Sequence, residues 1–331
     1  MKRWPVAAAA LLVLAGAGTI TLRAAIDRPF LRDTTLLTIP EGTTATGVRR
    51  LLQHEGPVDR PLWELLIRAN GWARRLGAGT YRLGAGETLR SVLDSIAHGR
   101  TLCMMVTVPE GSDLRRIGEL METAGIAPAS TIAAAARVGA VPATIDGKAV
   151  ALEGYLFPDT YCFAPGSPAE VVTGTMMGRL REVWEAIEKP SSIPGGFDLH
   201  GVLTLASIVE KETGYPAERP LIAAVFLNRL RIGMPLQSDP TVIYSLPSFD
   251  GNIRKQDLSV DSPFNTYRHR GLPPGPIASP GRAAIEAVLR PAAVDYLYFV
   301  ARGDGTHQFS KTLAEHNRAV SRYQLRRAKD H

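Results

Sequence analysis

The residue best suited by its surroundings to move a proton is Glu210. It lies in Leu205-Ala-Ser-Ile-Val-Glu-Lys-Glu-Thr213, where an ionisable side chain interrupts a mostly apolar pattern. At 3.6 residues per turn, Leu199, Leu203, Ala206 and Glu210 share one helical stripe. A carboxyl aimed at an apolar face resists ionising, because desolvation penalises its charged form. The raised pKa suits a group that donates a proton near neutral pH. The same pattern also fits a helix-end glutamate paired with a lysine or arginine, which does no chemistry.

Four polar, loop-like stretches carry the other candidates. They are Leu152-Glu-Gly-Tyr-Leu-Phe-Pro-Asp-Thr-Tyr161, Gly233-Met-Pro-Leu-Gln-Ser-Asp-Pro-Thr-Val-Ile-Tyr244, Ser262-Pro-Phe-Asn-Thr-Tyr267 and Gly271-Leu-Pro-Pro-Gly-Pro-Ile277. Each mixes aromatic, amide or carboxylate groups with rigid Pro and Gly. A saccharide site uses that mixture: aromatic faces stack on sugar C–H surfaces, and amides and carboxylates hydrogen-bond hydroxyl and N-acetyl groups. Taken singly, each stretch also reads as a well-made turn. No CxxC, HExxH or Cys/His cluster occurs among the two cysteines and seven histidines, so neither a metal nor another cofactor is expected.

These residues need elements to hold them. The 331 residues suffice for two or three domains, and 45% are hydrophobic, so the chain is not a disordered polymer. The net charge of +6 comes without a long single-sign block; it fits an anionic neighbour or ordinary solubility, and nothing argues for nucleic acid. Trp4 to Leu22 form an apolar run of 19 residues behind Lys2 and Arg3 and ahead of Arg23. That is long enough to span a membrane, with the N-terminus cytoplasmic and the bulk outside. The competing reading is a cleaved signal peptide ending near Ala15-Gly-Ala17. Cys103 and Cys162 are expected to be buried free thiols, although export would permit a disulfide.

A strand-turn-helix unit recurs. Thr38-Ile-Pro-Glu-Gly-Thr43, Leu83-Gly-Ala-Gly-Glu-Thr88 and Thr107-Val-Pro-Glu-Gly-Ser112 each precede an amphipathic pattern. The unit resembles LysM, a βααβ module that binds N-acetylated glycan, with Gly79-Thr-Tyr-Arg-Leu83 as second strand; a non-binding spacer reads equally well. The expected class is α+β: a transmembrane anchor over 1–23, a linker over 24–35, a LysM-like subdomain over 36–110, a helical connector over 111–150 and a catalytic α+β domain over 151–331. Helices are predicted over 167–188, 199–213, 218–232, 281–290 and 313–327. Ser279-Pro280 reads as an N-cap with proline at the first helical position, and Thr312-Leu-Ala-Glu315 as a capping box. A hairpin is predicted from Asp295–Arg302 to Thr306–Ser310.

The loops at 152–161, 236–244, 265–267 and 271–275, together with Ser207-Ile-Val-Glu-Lys-Glu-Thr213, Phe226-Leu-Asn-Arg-Leu-Arg-Ile-Gly-Met234 and His316-Asn317, closely resemble the endolytic murein transglycosylase (YceG-like) family over about 150–325. The resemblance implies an inner-membrane, single-pass enzyme with a periplasmic catalytic domain. Such an enzyme cuts nascent peptidoglycan between N-acetylmuramic acid and N-acetylglucosamine, leaves 1,6-anhydro ends and limits strand length. It implies Glu210 as catalytic acid, with Glu212 supporting it or structural. Gln237, Ser238, Asp239 and Tyr244 would line the sugar cleft; Asn265 and Tyr267 would contact the N-acetyl group or hold Glu210; Asn228 and Arg229 lie on the following helix, which they would brace against the catalytic one. Membrane-bound peptidoglycan synthases are the implied partners. A hydrolytic muramidase, with Asp239 or Glu153 as second carboxylate, and a non-catalytic wall-binding scaffold are the alternatives. A pyridoxal-phosphate lyase is rejected, because the chain is exported and no lysine sits in a context that argues for a Schiff base.

Overall fold

The computed structural model describes residues 21–137 and 151–325. Residues 21–26 are helical; the rest of the expected anchor (1–20) and part of the expected connector (138–150) lie outside the described residues. Among the described residues, no helix is long and apolar enough to cross a membrane. The fold is mixed α+β, with helices and three two-stranded sheets among the described residues. The described residues divide into two compact units, one of 21–104 with 162–165 and the other of 105–137, 151–161 and 166–325.

In the first unit, β1 (Thr35–Ile39) leads to α1 (Ala45–Glu55) and α2 (Arg60–Asn70), and the chain returns through β2 (Gly79–Leu83) to α3 (Leu89–Ala97). β1 and β2 are antiparallel, with Thr35 opposite Leu83 and Ile39 opposite Gly79. The strand-turn-helix repeat is present in its local chemistry. The turns after β1 and β2 place Gly42 and Gly86 at φ 75° and 79°, where a Cβ is disfavoured. Thr44 and Thr88 then cap the helices by accepting from Gly47 and Ser91. Inward faces of both strands and all three helices, including Ile39, Leu52, Trp63, Leu83 and Leu93, form one core.

β3 (Met104–Thr107) pairs with β4 (Thr160–Phe163). Beside this pairing, Cys103 and Cys162 are joined by a disulfide with Cα atoms 5.3 Å apart. This corrects the expected buried thiols: Cys162 is exposed and Cys103 half-buried. Fifty-nine residues of sequence separate the two, so their approach depends on strand pairing that no local pattern reveals.

The second unit continues through α4 (Leu114–Thr123), α5 (Ala129–Ala135), α6 (Ala169–Ala186), α7 (Leu199–Glu212), α8 (Arg219–Arg231), α9 (Asp239–Ser245) and α10 (Arg282–Leu289). The hairpin β5 (Tyr298–Ala301) and β6 (His307–Ser310) and then α11 (Leu313–Val320) follow, with the capping box of Thr312 and Glu315 in place. The predicted helices are present, their described ends within two residues of those predicted; α11 runs on into a π-helical turn over Ser321–Leu325, and 326–327 lie outside the described residues. At α10 the expected cap is corrected: Gly281, not Ser279, is the N-cap. Ser279 is buried and pairs through its backbone with Gly111 and Ser112 (2.8 Å each).

The organising element is α7. Asp198 caps it by accepting from Gly201, and Val202, Leu203, Leu205, Ala206, Ile208 and Val209 are all fully buried. Such a helix, apolar all round, belongs in the interior. α8, α9 and α10 pack on it. The 271–277 loop is tied to it by the Ile277 amide donating to Ser207 Oγ (3.0 Å) and by His200 Nε2 against the Pro274 carbonyl (2.8 Å). Gly154 fits under Pro276, where an added Cβ would come within 2.3 Å of the ring. Buried Glu153 accepts from the Leu114 amide at the start of α4 and from Tyr244 Oη (3.2 Å). Desolvation pushes its carboxyl up to about 7.

Closing a chain segment of this length by a disulfide restricts the unfolded state by about 4 kcal/mol in the chain-entropy account. Replacing both Cys103 and Cys162 by Ser is expected to lower stability to denaturant by up to that amount, and wild-type protein in strong reductant should match the variant. Equal midpoints for oxidised wild type and variant would contradict the pairing.

Candidate active site

Two glutamates end α7, and their spacing decides what each meets. At about 100° per residue, positions 210 and 212 point to nearly opposite sides of the helix.

Glu210 does not end on a bare apolar surface. Its Oε1 accepts from Arg219 Nη2 at 2.7 Å, and its Oε2 from the Gly281 amide at 3.0 Å. The two side chains are 6% and 9% exposed. Glu110 Oε2 lies 3.5 Å from the same guanidinium nitrogen and rests against Gly281, where an added Cβ would sit 1.8 Å from Glu110 Oε1. Lys211 Nζ donates to the Gly111 carbonyl (3.2 Å). This network compensates the buried charge and joins the turn at 110–111, the end of α7, the start of α8 and the cap of α10. It corrects the picture of a lone carboxyl facing apolar side chains.

Glu212 faces a cavity of about 400 Å³ lined by Arg229, Gln237, Asp239, Tyr267, His307 and His316, among others. Its Oε1 accepts from Ser238 Oγ at 2.5 Å. Desolvation pushes its carboxyl up to about 7; the Ser238 hydrogen bond opposes that rise, the charge of Asp239 adds to it, and Arg229 opposes it. A carboxyl half protonated near neutral pH, hydrogen-bonded and open to a polar cavity, is equipped for general acid-base work.

The predicted sugar contacts divide accordingly. Gln237, Asp239 and Tyr267 line the cavity with Glu212, and Ser238 adjoins it as the partner of that carboxylate. Tyr267 Oη donates to Asp239 Oδ1 at 2.6 Å. Gln237 is the one non-glycine at positive φ among the described residues (51°), a conformation that costs backbone energy and aims the segment at the cavity rim. Glu210 is not brought together with these residues.

Tyr244 is directed elsewhere: it donates to Glu153 and packs on Phe264, with ring centroids 5.0 Å apart. Glu153, fixed at the head of α4, serves the fold. Asn265 is fully buried and neither holds Glu210 nor lines the cavity. Its Nδ2 donates to the Leu258 and Val260 carbonyls, and its Oδ1 accepts from the Tyr267 amide (3.0 Å), which positions Tyr267. Asn228 and Arg229 brace α8 against the 294–297 segment: Asn228 Nδ2 donates to the Val294 carbonyl (2.8 Å) and Arg229 Nε to that of Leu297 (2.7 Å).

Sequence reasoning passed over His307, its partner Glu218 and the cavity role of His316. His307 Nδ1 lies 2.7 Å from Glu218 Oε2, and the His307 amide donates to Glu218 Oε1 at 2.9 Å. His316 stacks on Tyr298 with centroids 5.2 Å apart. His316 stood in a quoted motif; His307, on a short strand, carried no signal.

Comparison with known proteins agrees with this architecture. A model of the YceG-like family matches residues 37–322. A Bacillus subtilis (strain 168) protein named endolytic murein transglycosylase is 32% identical over 314 residues, which cover 88% of this chain and 85% of that protein. A Streptococcus pneumoniae (strain D39) protein of the same name is 29% identical over 321 residues, covering 86% of this chain and 57% of the longer relative. The crystal structure of a yceG-like protein from Listeria monocytogenes superposes with a TM-score of 0.56 at 29% identity, covering 87% of this chain and 99% of that one.

The two glutamates should respond oppositely to substitution. Glu210→Ala leaves the buried Arg219 guanidinium with only exposed Glu110, 3.5 Å away, as charge partner and is expected to cost up to about 3–5 kcal/mol in urea unfolding. Unfolded Glu212 ionises near 4.5 and the folded residue near 7, so the folded state binds the additional proton between those values and stability falls as pH rises through them. Glu212→Gln is therefore expected to raise stability at pH 8 by on the order of 1–2 kcal/mol. A loss of stability at pH 8 would contradict the desolvated carboxyl.

Proposed function

The chain belongs to the YceG-like family, and on that premise we propose that it cleaves murein as an endolytic lytic transglycosylase whose proton-donating residue is Glu212. The observation that carries this assignment is the meeting, in one cavity, of a carboxyl that titrates near 7 with the residues expected to contact sugar: Gln237, Asp239 and Tyr267. Glu210, the acid implied by family resemblance, is the competing assignment. Its carboxylate is held by Arg219 and the Gly281 amide, and it lies on the far side of the helix from those residues.

Protonated Glu212 donates to the glycosidic oxygen between N-acetylmuramic acid and N-acetylglucosamine as that bond breaks. Positive charge develops at the muramic C1. The sugar's own C6 hydroxyl attacks C1, and the Glu212 carboxylate takes the hydroxyl proton. One carboxyl thus gives and regains a single proton, the product is a 1,6-anhydro end, and no water enters. Ser238 holds the carboxyl in one orientation through both half-reactions. Intramolecular attack by a well-positioned hydroxyl can supply on the order of 7–11 kcal/mol of barrier reduction, which is why a second carboxylate is dispensable. Hydrolysis is the second reading, since Asp239 lines the same cavity, although its Oδ1 is engaged by Tyr267.

The apolar run from Trp4 to Leu22 behind Lys2 and Arg3 supports a single-pass inner-membrane anchor with the enzyme in the periplasm. Held there, the cavity meets strands as they leave membrane-bound synthases, and cutting them limits strand length. The β–α–α–β arrangement of residues 35–83 is compatible with a LysM-like glycan contact.

Digestion of purified peptidoglycan by wild type, Glu212→Gln and Glu210→Gln tests the assignment. Glu212→Gln is expected to lose at least about 100-fold in turnover, the lower range for removing a general acid. Folded Glu210→Gln retains activity, and mass spectrometry finds product ends lighter by one water than reducing ends. Activity should fall as pH rises through about 7. Ser238→Ala moves that fall to higher pH and Asp239→Asn to lower pH, because the lost hydrogen bond favoured ionisation and the lost charge opposed it. Full activity in Glu212→Gln alongside none in folded Glu210→Gln would return the role to Glu210.

A further inference from the structure

The Glu212 cavity is lined by two histidines whose hydrogen-bond partners differ in a way that sets the proton of each ring. His307 directs Nδ1 at Glu218 Oε2 (2.7 Å), while Glu218 Oε1 is held by the His307 amide. A carboxylate needs a donor, so Nδ1 carries a proton, and a ring with that proton alone keeps a lone pair on Nε2. His316 is the reverse case. Its Nδ1 is buried without a hydrogen-bond partner, and the ring stacks on Tyr298. A proton at that position would bury an unsatisfied N–H, so it resides on Nε2. Burial, and then the charge of Arg229, lower the His316 pKa and so disfavour the charged ring.

We propose that His307 and His316 form an acetamido-reading pair, with His307 Nε2 accepting from the N–H and His316 Nε2–H donating to the carbonyl of an N-acetyl group on the bound sugar. This rests on the glycan-cleaving reading of the Glu212 cavity and adds a basis for its specificity. A hydroxyl offers donor and acceptor on one atom; an acetamido group separates them, as two rings of opposite tautomer require. Sites built to hydrogen-bond a substrate group discriminate strongly against the analogue that lacks it, because their own polar atoms are left unpaired.

The test uses the full chain carrying Glu212→Gln, so that ligand is bound and not cut. Two probes are titrated: a β-linked N-acetylglucosamine oligosaccharide and a glucose oligosaccharide of equal length and linkage, which differ only at the C2 substituent. The N-acetylated sugar is expected to bind at least about tenfold tighter. Adding His316→Phe, which keeps the stack on Tyr298, should remove most of that preference, and His316→Gln, which restores an N–H, should recover part of it. Nitrogen NMR should find the proton on Nε2 of His316 and on Nδ1 of His307, with both Nε2 signals moving on addition of the N-acetylated sugar alone. The proposal is overturned by the opposite tautomers, or by His316→Phe weakening both sugars equally. Undiminished peptidoglycan cleavage by Glu212→Gln would instead remove the catalytic reading beneath it, and that failure is distinguishable because the tautomers and sugar preference are read without turnover.

Discussion

A carboxyl at the end of a helix buried over residues 201–209 loses solvation when it ionises, and the candidate site depends on where that loss is left uncompensated. Glu212 has only the Ser238 hydroxyl and the charge of Arg229 to set against the desolvation, and the like charge of Asp239 adds to it, so its proton leaves only near neutral pH. Glu210, two residues earlier, has a guanidinium and a backbone amide. The same helix supports both outcomes because a two-residue step turns a side chain to the other face. α7 can present these groups rigidly because its apolar residues are enclosed on every side by α8, α9 and α10.

Around that helix, loops divide into those that fix and those that reach. The 271–277 loop is tied down by Ser207 and His200, and the 152–155 segment by the fit of Gly154 under Pro276. The segment at 236–239 instead departs from regular geometry at Gln237 and lines the cavity, and Tyr267 joins it because buried Asn265 orders the turn before it. Binding groups held in this way lose little freedom when a ligand arrives.

Much of the fold was legible in sequence because its signals are local. The glycine turns of the strand-turn-helix units, the capping box at 312–315 and the hairpin across 303–305 are read from residues within a few positions of one another. The site was legible as a set of segments and not as an arrangement. Period alone put Glu210 on an apolar stripe, but a helix buried all round has no distinctive stripe, and the partners that separate Glu210 from Glu212 come from distant positions: Arg219, Gly281 and Ser238. The same reason hid the Cys103–Cys162 bond, the Glu153–Tyr244 contact and the His307–Glu218 pair. Ser279-Pro280 carried a correct helix-start signal two residues early, because the Ser279 backbone is taken up by Gly111 and Ser112.

Glu212 keeps its proton to near-neutral pH because its carboxyl is desolvated at the cavity wall. Direct titration of the side-chain carboxyl carbons of α7 by carbon-detected NMR reads this group by group. A desolvated Glu212 is expected to titrate with a midpoint of about 7. A midpoint near the ordinary 4.5 would contradict it.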